Sequence, residues 1–302
     1  MNLMILGAGA MGCLFGAYLS TSMEVTLVDP NEEKLGLLRR EGVTVLEPGG
    51  EETRAAPRCL TPAEAARERG NLILVFVKSA RERRALEAIR GAMGPETVLM
   101  TLQNGMGHEE AMLALAPAEQ IIIGATRHNA SLLSPGVVRH GGGGDTVLGV
   151  LTGEARRFQP IADLFTAAGL ETAVSENVRG VIWRKLFLNA SGSALTAVYD
   201  CPLGAVAEGE RWHRCERLIR ESVAVARADG QPFDEKEIIA EIHAHILASP
   251  EARTSIWADL KAGRRTEVDA ITGAVVRLGR KYGVPVPESE RVVNTIHELE
   301  GR

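Results

Sequence analysis

Apolar residues run in short unbroken blocks through the first half of the chain and recur with helical spacing through the second. Residues 3–6, NLILVFVKS at 71–79, TVLMTLQNGMG at 97–107 and QIIIGAT at 120–126 carry blocks of strand length. Ala/Glu/Arg-rich stretches lie between them. Blocks apolar on both faces and alternating with helices predict a buried, mostly parallel sheet. The stretch 134–150, SPGVVRHGGGGDTVLGV, reads as an antiparallel hairpin added to that sheet, with its four glycines as the turn. From about Asn177 the period becomes helical, near 178–198, 208–229, 234–247, 251–261 and 265–282, with breaks at CPLG (201–204) and DGQPF (229–233). The expected division is an α/β domain over 1–173 and an all-α domain over 174–302.

The first strand leads into GAGAMG at 7–12, a helix-like stretch follows, and EVTLVDP then ends a β-branched run at Asp29. Strand, glycine turn, helix, strand and acid in that order make the dinucleotide fingerprint. Gly7 permits the tight turn, Gly9 lets backbone approach a pyrophosphate, and Gly12 lets helix and strand pack closely. Ala8, Ala10 and Met11 complete the loop, and Asp29 is placed to meet a ribose hydroxyl. Lys78 and Asn104 fall where two further strands end, the edge at which open parallel sheets bind ligands. A solvated lysine and a turn-forming asparagine would look the same.

Two polar clusters mark the second half. In WRKLFLNASGSAL at 183–195 a helix would stack Lys185, Asn189 and Ser193 in one row. An ordinary amphipathic helix with its lysine stem laid along apolar surface fits that spacing equally well. The stretch 254–273, TSIWADLKAGRRTEVDAITG, crowds Ser255, Asp259, Glu267 and Asp269. His243 and His245 have no third ligand at a sensible spacing, so no metal is assigned.

Composition narrows the partner. The chain has 302 residues, 45% hydrophobic and 24% charged, with a net charge of -5, which points to a small molecule and away from nucleic acid. Cys13, Cys59, Cys201 and Cys215 are widely spaced, with no C-x-x-C pair, and suit free thiols in a reducing compartment. With no leader-like start and no apolar run of membrane-spanning length, the expected location is cytoplasmic.

Taken together, GAGAMG (7–12), VKS (77–79), QNGMG (103–107), WRKLFLN (183–189), CPLG (201–204) and the 254–273 stretch resemble the ketopantoate reductase (2-dehydropantoate 2-reductase) family over nearly the whole chain. The resemblance implies a Rossmann-like NAD(P)-binding domain followed by a helical substrate and dimerisation domain, with the active site in the cleft between them. It implies reduction of the ketone of a 2-oxo acid by a nicotinamide cofactor. Lys185 takes the part of catalytic acid, and Glu267 either orients it or binds substrate. Asn189, Ser193, Ser255 and Asn104 line the substrate pocket, with Asn104 also beside the nicotinamide, and Lys78 helps hold the phosphate-bearing ribose. A homodimer is left open.

Three departures qualify the resemblance. Ser193 and Ala252 stand where the family carries asparagines that hold pantoate, so a second reading is an NAD-dependent D-2-hydroxyacid dehydrogenase for another branched or aromatic 2-oxo acid. Asp29-Pro30 stands where NADPH users carry arginine, which favours NAD over NADP; Lys78, with Arg39 or Arg40, keeps NADP open. A third reading is a non-catalytic redox sensor. The joint presence of Lys185, Asn189, Ser255 and Glu267 speaks against it.

Overall fold

The computed structural model describes residues 1–302. It divides into two compact units: Met1–Gln103 with His108–Val178, and Asn104–Gly107 with Arg179–Arg302.

The first unit contains, in order, β1 (Asn2–Leu6), α1 (Ala10–Leu19), β2 (Glu24–Val28), α2 (Glu32–Glu41), β3 (Val43–Leu46), β4 (Glu52–Ala55), β5 (Arg58–Leu60), α3 (Pro62–Ala65), β6 (Leu72–Val75), α4 (Glu82–Ala88), β7 (Val98–Thr101), α5 (Glu109–Leu113), β8 (Ile121–Thr126), β9 (Ala130–Ser134), β10 (Val137–His140), β11 (Thr146–Val150), α6 (Gln159–Ala167) and β12 (Thr172–Val174). Eight strands form one sheet in the order β12-β11-β8-β7-β6-β1-β2-β5. All its pairings are parallel except β8 with β11. The order reverses between β1 and β6, the switch point where open α/β sheets leave a crevice at their carboxyl ends. Leu72, Ile73, Leu74 and Val75 of β6 are fully buried, which explains why this strand reads as an unbroken apolar block.

The expected hairpin at 134–150 does not form. β10 joins a second sheet, ordered β4-β3-β10-β9, whereas β11 joins the large one. The hairpin here is β9–β10, turning through Pro135 and Gly136 (φ 81°). The glycines 141–144 carry the chain from one sheet to the other. Alternation marks a strand but does not name its partner, and that is how the expectation failed. Helix α1 contacts strands of both sheets, and residues 12–17 of it are all buried. Tyr18 on α1 donates to Glu47 at 2.8 Å, and Glu47 lies 2.8 Å from His140 Nδ1, fastening the small sheet to the helix.

The second unit contains α7 (Val178–Leu188), a π-helical turn at Asn189–Ser193, α8 (Ala194–Tyr199), α9 (Gly209–Ala228), α10 (Glu235–Ala248), α11 (Ser255–Lys261), α12 (Thr272–Tyr282) and α13 (Pro287–Leu299). Its core gathers Trp183, Phe187, Leu218, Ile219, Val275, Val292 and Ile296, none more than 1% exposed. Two expected helices are shorter than their periodic patterns. α11 starts at Ser255 because the Thr254 hydroxyl caps it, accepting from Trp257 N. Residues 264–266 are irregular and 267–271 form a bend and turn, in place of the first part of a 265–282 helix. α13, opened by Pro287 at its first position, was not foreseen. The four cysteines are free and buried, and burial pushes the Cys13 and Cys215 thiols up to about 12. No helix is long and apolar enough to cross a membrane.

Candidate active site

The glycine loop follows β1 in the first unit. Gly7 has φ 111°, and an added Cβ there would press on Phe76 backbone and Val77 at 3.2 Å, so the loops after β1 and β6 touch at the switch point. A Cβ on Gly12 would lie 1.9 Å from the Gly7 carbonyl oxygen, which leaves only glycine at this crossing of helix and loop. A Cβ on Gly9 would meet nothing within 4 Å and would project into the open mouth of the loop. A side chain there would fill the cradle in front of the α1 N-terminus, where backbone N–H groups and the helix dipole favour an anion. The loop therefore fits the pyrophosphate of a dinucleotide.

Asp29 follows β2 directly and is 7% exposed. Its Oδ2 accepts from Ala8 N at 3.1 Å and from Lys34 Nζ at 2.8 Å, and its Oδ1 accepts from Asn31 N at 3.0 Å. The acid is thus tied to the glycine loop and cannot turn away. Arg39 does not point toward it: its Nε donates to the Cys59 carbonyl at 3.0 Å and its Nη2 to Glu64 at 3.1 Å. The cation beside Asp29 is Lys34, which sequence reasoning passed over. The signal was present, since Asn31 caps α2 by accepting from Lys34 N at 2.9 Å and so places residue 34 one turn from the strand end. Lys78 is exposed in the loop after β6.

The remaining candidates lie in the second unit. Lys185 and Asn189 are half-buried and one turn apart at the end of α7. The π turn begins at Asn189 and inserts an extra residue, so the row expected through Ser193 is bent there; Ser193 is only 8% exposed. Such turns displace backbone carbonyls, and neighbouring hydroxyls take them up. Thr272 Oγ1 donates to the Ala190 carbonyl at 3.3 Å, and Thr254 and Thr196 donate to that of Ser193 at 3.2 and 2.8 Å. Those hydroxyls stitch the π turn to the start of α12 and to the cap of α11, where Ser255 lies exposed.

Asn104 belongs to a four-residue segment that docks on the same unit. Met106 N donates to the Ala270 carbonyl at 2.9 Å, and Arg277 Nη2 donates to the Met106 carbonyl at 3.0 Å. Ala270 ends the turn that carries Glu267. Both flanks of that turn are pinned by α13 and the residues after it: Thr266 N donates to Glu300 at 2.7 Å, while His297 and Arg302 reach Asp269 at 2.8 and 3.0 Å. The segments bearing Asn104, Asn189, Ser193, Ser255 and Glu267 are thereby joined by backbone and hydroxyl bonds. Asp259 pairs with Arg264 at 2.9 Å. The anchors Thr254, Thr272 and Glu300 left no sequence signal beyond their type.

The chain is similar to known proteins over nearly its whole length. The family model described as ketopantoate reductase PanE/ApbA matches residues 3–153, and that of its C-terminal part matches residues 177–300. The 2-dehydropantoate 2-reductase of Halobacterium salinarum is 32% identical over 304 residues, covering 99% of this chain and 97% of its own. That of Streptococcus pyogenes serotype M1 is 32% identical over 300 residues, covering 98% and 97%. Among solved structures, the ternary complex of D-mandelate dehydrogenase with NADH and anilino(oxo)acetate superposes with a TM-score of 0.93 at 29% identity, covering 100% of this chain and 98% of that one. A PanE/ApbA family ketopantoate reductase from Ralstonia eutropha JMP134 gives 0.88 at 28%, covering 100% and 99%. The chain belongs to the ketopantoate reductase PanE/ApbA family and is an oxidoreductase.

Proposed function

We propose that the chain reduces the ketone of 2-dehydropantoate to the alcohol of pantoate, using a reduced nicotinamide dinucleotide. The observation that carries this reading is full-length similarity, 32% over 99% of the chain, to a protein named for that reaction. The glycine loop and Asp29 would hold the dinucleotide, with Lys78 beside its ribose, and when bound it supplies the hydride. Lys185 is the acid: its ammonium meets the oxygen on which charge develops and gives it a proton. An arginine could not serve, because guanidinium does not release its proton. Asn104, Asn189, Ser193 and Ser255 offer hydrogen bonds to a carboxylate and hydroxyl. Glu267 would accept from a substrate hydroxyl or steady the Lys185 ammonium.

For the cofactor, an ionised Asp29 favours the ribose hydroxyl of NADH over the phosphate of NADPH, because its charge repels the phosphate.

A second substrate reading has its own support. Ser193 and Ala252 replace asparagines expected to hold pantoate, and the D-mandelate dehydrogenase likeness is high. Under it the chain reduces another branched or aromatic 2-oxo acid with NADH.

A panel of 2-oxo acids, ketopantoate included, assayed with NADH and NADPH tests both readings. Highest kcat/KM for ketopantoate upholds the first, and a higher value for an aromatic 2-oxo acid replaces it with the second. Absence of turnover across the panel defeats both and returns the non-catalytic sensor.

A further inference from the structure

We propose that Lys34 is the residue that admits a 2′-phosphate next to Asp29, so that the adenosine ribose site accepts both NADH and NADPH. The inference rests on the dinucleotide reading above and assigns its specificity to a pair of residues where that reading names one acid. Its basis is the geometry around the Asp29 carboxylate. Each oxygen of an ionised carboxylate can accept about two hydrogen bonds. Oδ2 has two donors, Ala8 N at 3.1 Å and Lys34 Nζ at 2.8 Å; Oδ1 has one, Asn31 N at 3.0 Å. Oδ1 therefore keeps a place for a ribose hydroxyl, and Oδ2 does not.

Two of the three donors are backbone groups, so Asp29 cannot swing aside for a phosphate. The third can move. The Lys34 side chain is 21% exposed, and its ammonium has three donors, one of them committed to Oδ2. It can keep that bond and direct a second donor at an incoming phosphate. The Asp29–Lys34 pair carries no net charge of its own, which removes much of the repulsion that a bare carboxylate would exert.

The position is unfavourable for stability of the helix alone. Lys34 lies in the first turn of α2, where the helix dipole disfavours a cation, and its neighbours Glu32 and Glu33 are the residues that suit such a place. Arg39, the other cation near the strand end, is held by Cys59 and Glu64.

The test is calorimetric titration of the full-length protein, without cofactor, with AMP and with adenosine 2′,5′-bisphosphate, in wild type, Lys34→Met, Lys34→Arg, Asp29→Asn and the Lys34→Met/Asp29→Asn double variant. Lys34→Met should weaken the bisphosphate relative to AMP by about ten-fold, the size of one charge-assisted hydrogen bond, and Lys34→Arg should restore the ratio. Asp29→Asn should favour the bisphosphate more strongly in the Lys34→Met background than in wild type, because Lys34 no longer offsets the carboxylate charge there. An unchanged ratio in Lys34→Met, or the same Asp29→Asn gain in the double variant, overturns the role of Lys34 while leaving the dinucleotide site standing. Failure of wild type to bind either nucleotide overturns both. Should Asp29→Asn not fold, the Lys34→Met and Lys34→Arg pair decides alone.

Discussion

The backbone at Gly105 approaches Ala270 so closely that an added Cβ would lie 2.1 Å from the Ala270 carbonyl oxygen. The two residues belong to the segments that carry Asn104 and Glu267. Their contact joins parts of the chain separated by more than half its length.

Gly105→Ala is accordingly expected to harm function before fold. The clash adds to the cost of φ 99°, a conformation that L-residues resist, and together they should displace the 104–107 segment at about 2–4 kcal/mol. kcat/KM for the 2-oxo acid should fall at least ten-fold while the first unit still binds nucleotide. Wild-type kinetics in this variant would show that the docking of Asn104 is incidental.

Asp229 holds α7, the helix of Lys185, from the far side. It accepts from Arg179 Nε at 2.7 Å, Trp183 Nε1 at 2.7 Å and Tyr282 OH at 2.6 Å. Burial is the largest single influence and raises its pKa, but the bonds from Arg179, Tyr282 and Trp183 outweigh it and hold the carboxyl below the ordinary value. Stability from this group is therefore complete above about 3.8, the ordinary value, and is lost as pH falls through the lower folded value. Asp229→Asn should cost about 2–3 kcal/mol at neutral pH and flatten the acid limb of the Tm profile. An acid limb identical to wild type would exclude Asp229 as its source.

The thiols should be inert while the protein is folded. Cys13 and Cys215 are fully buried with thiols pushed up to about 12, and Cys59 and Cys201 are also buried and raised. Thiolate is the reactive form, so an aromatic disulfide reagent should label all four only after denaturation. Rapid labelling of the native protein would contradict the packing around them.

Much of the first unit was legible because its signals are local. An unbroken apolar block, a glycine turn and an acid about twenty residues later describe β1, α1 and β2 without knowledge of any partner. The small sheet was not legible in that way: ETRA in β4 is short, polar and half-exposed, and ASLLS in β9 is short and mostly exposed with its leucines outward. Its strands are defined by what they pair with. The helical unit was visible through its period, but the period continued through residues 264–271, where bonds with Glu300, His297 and Arg302 hold an irregular stretch and a turn instead. The π turn at Asn189 escaped for a similar reason, since Thr254 and Thr272 satisfy its carbonyls from distant sequence. Lys34 was overlooked because a lysine in a first helical turn carries no meaning until Asp29 is seen against it.

Lys185 is proposed above to deliver the proton in ketone reduction. Its most direct test is kcat of Lys185→Ala with the best 2-oxo acid from the panel, beside nucleotide affinity in the same variant. A loss of about a hundred- to ten-thousand-fold in kcat with nucleotide affinity retained is expected, since general acid catalysis is worth that much and the glycine loop lies in the other unit. A kcat within a few-fold of wild type would contradict it.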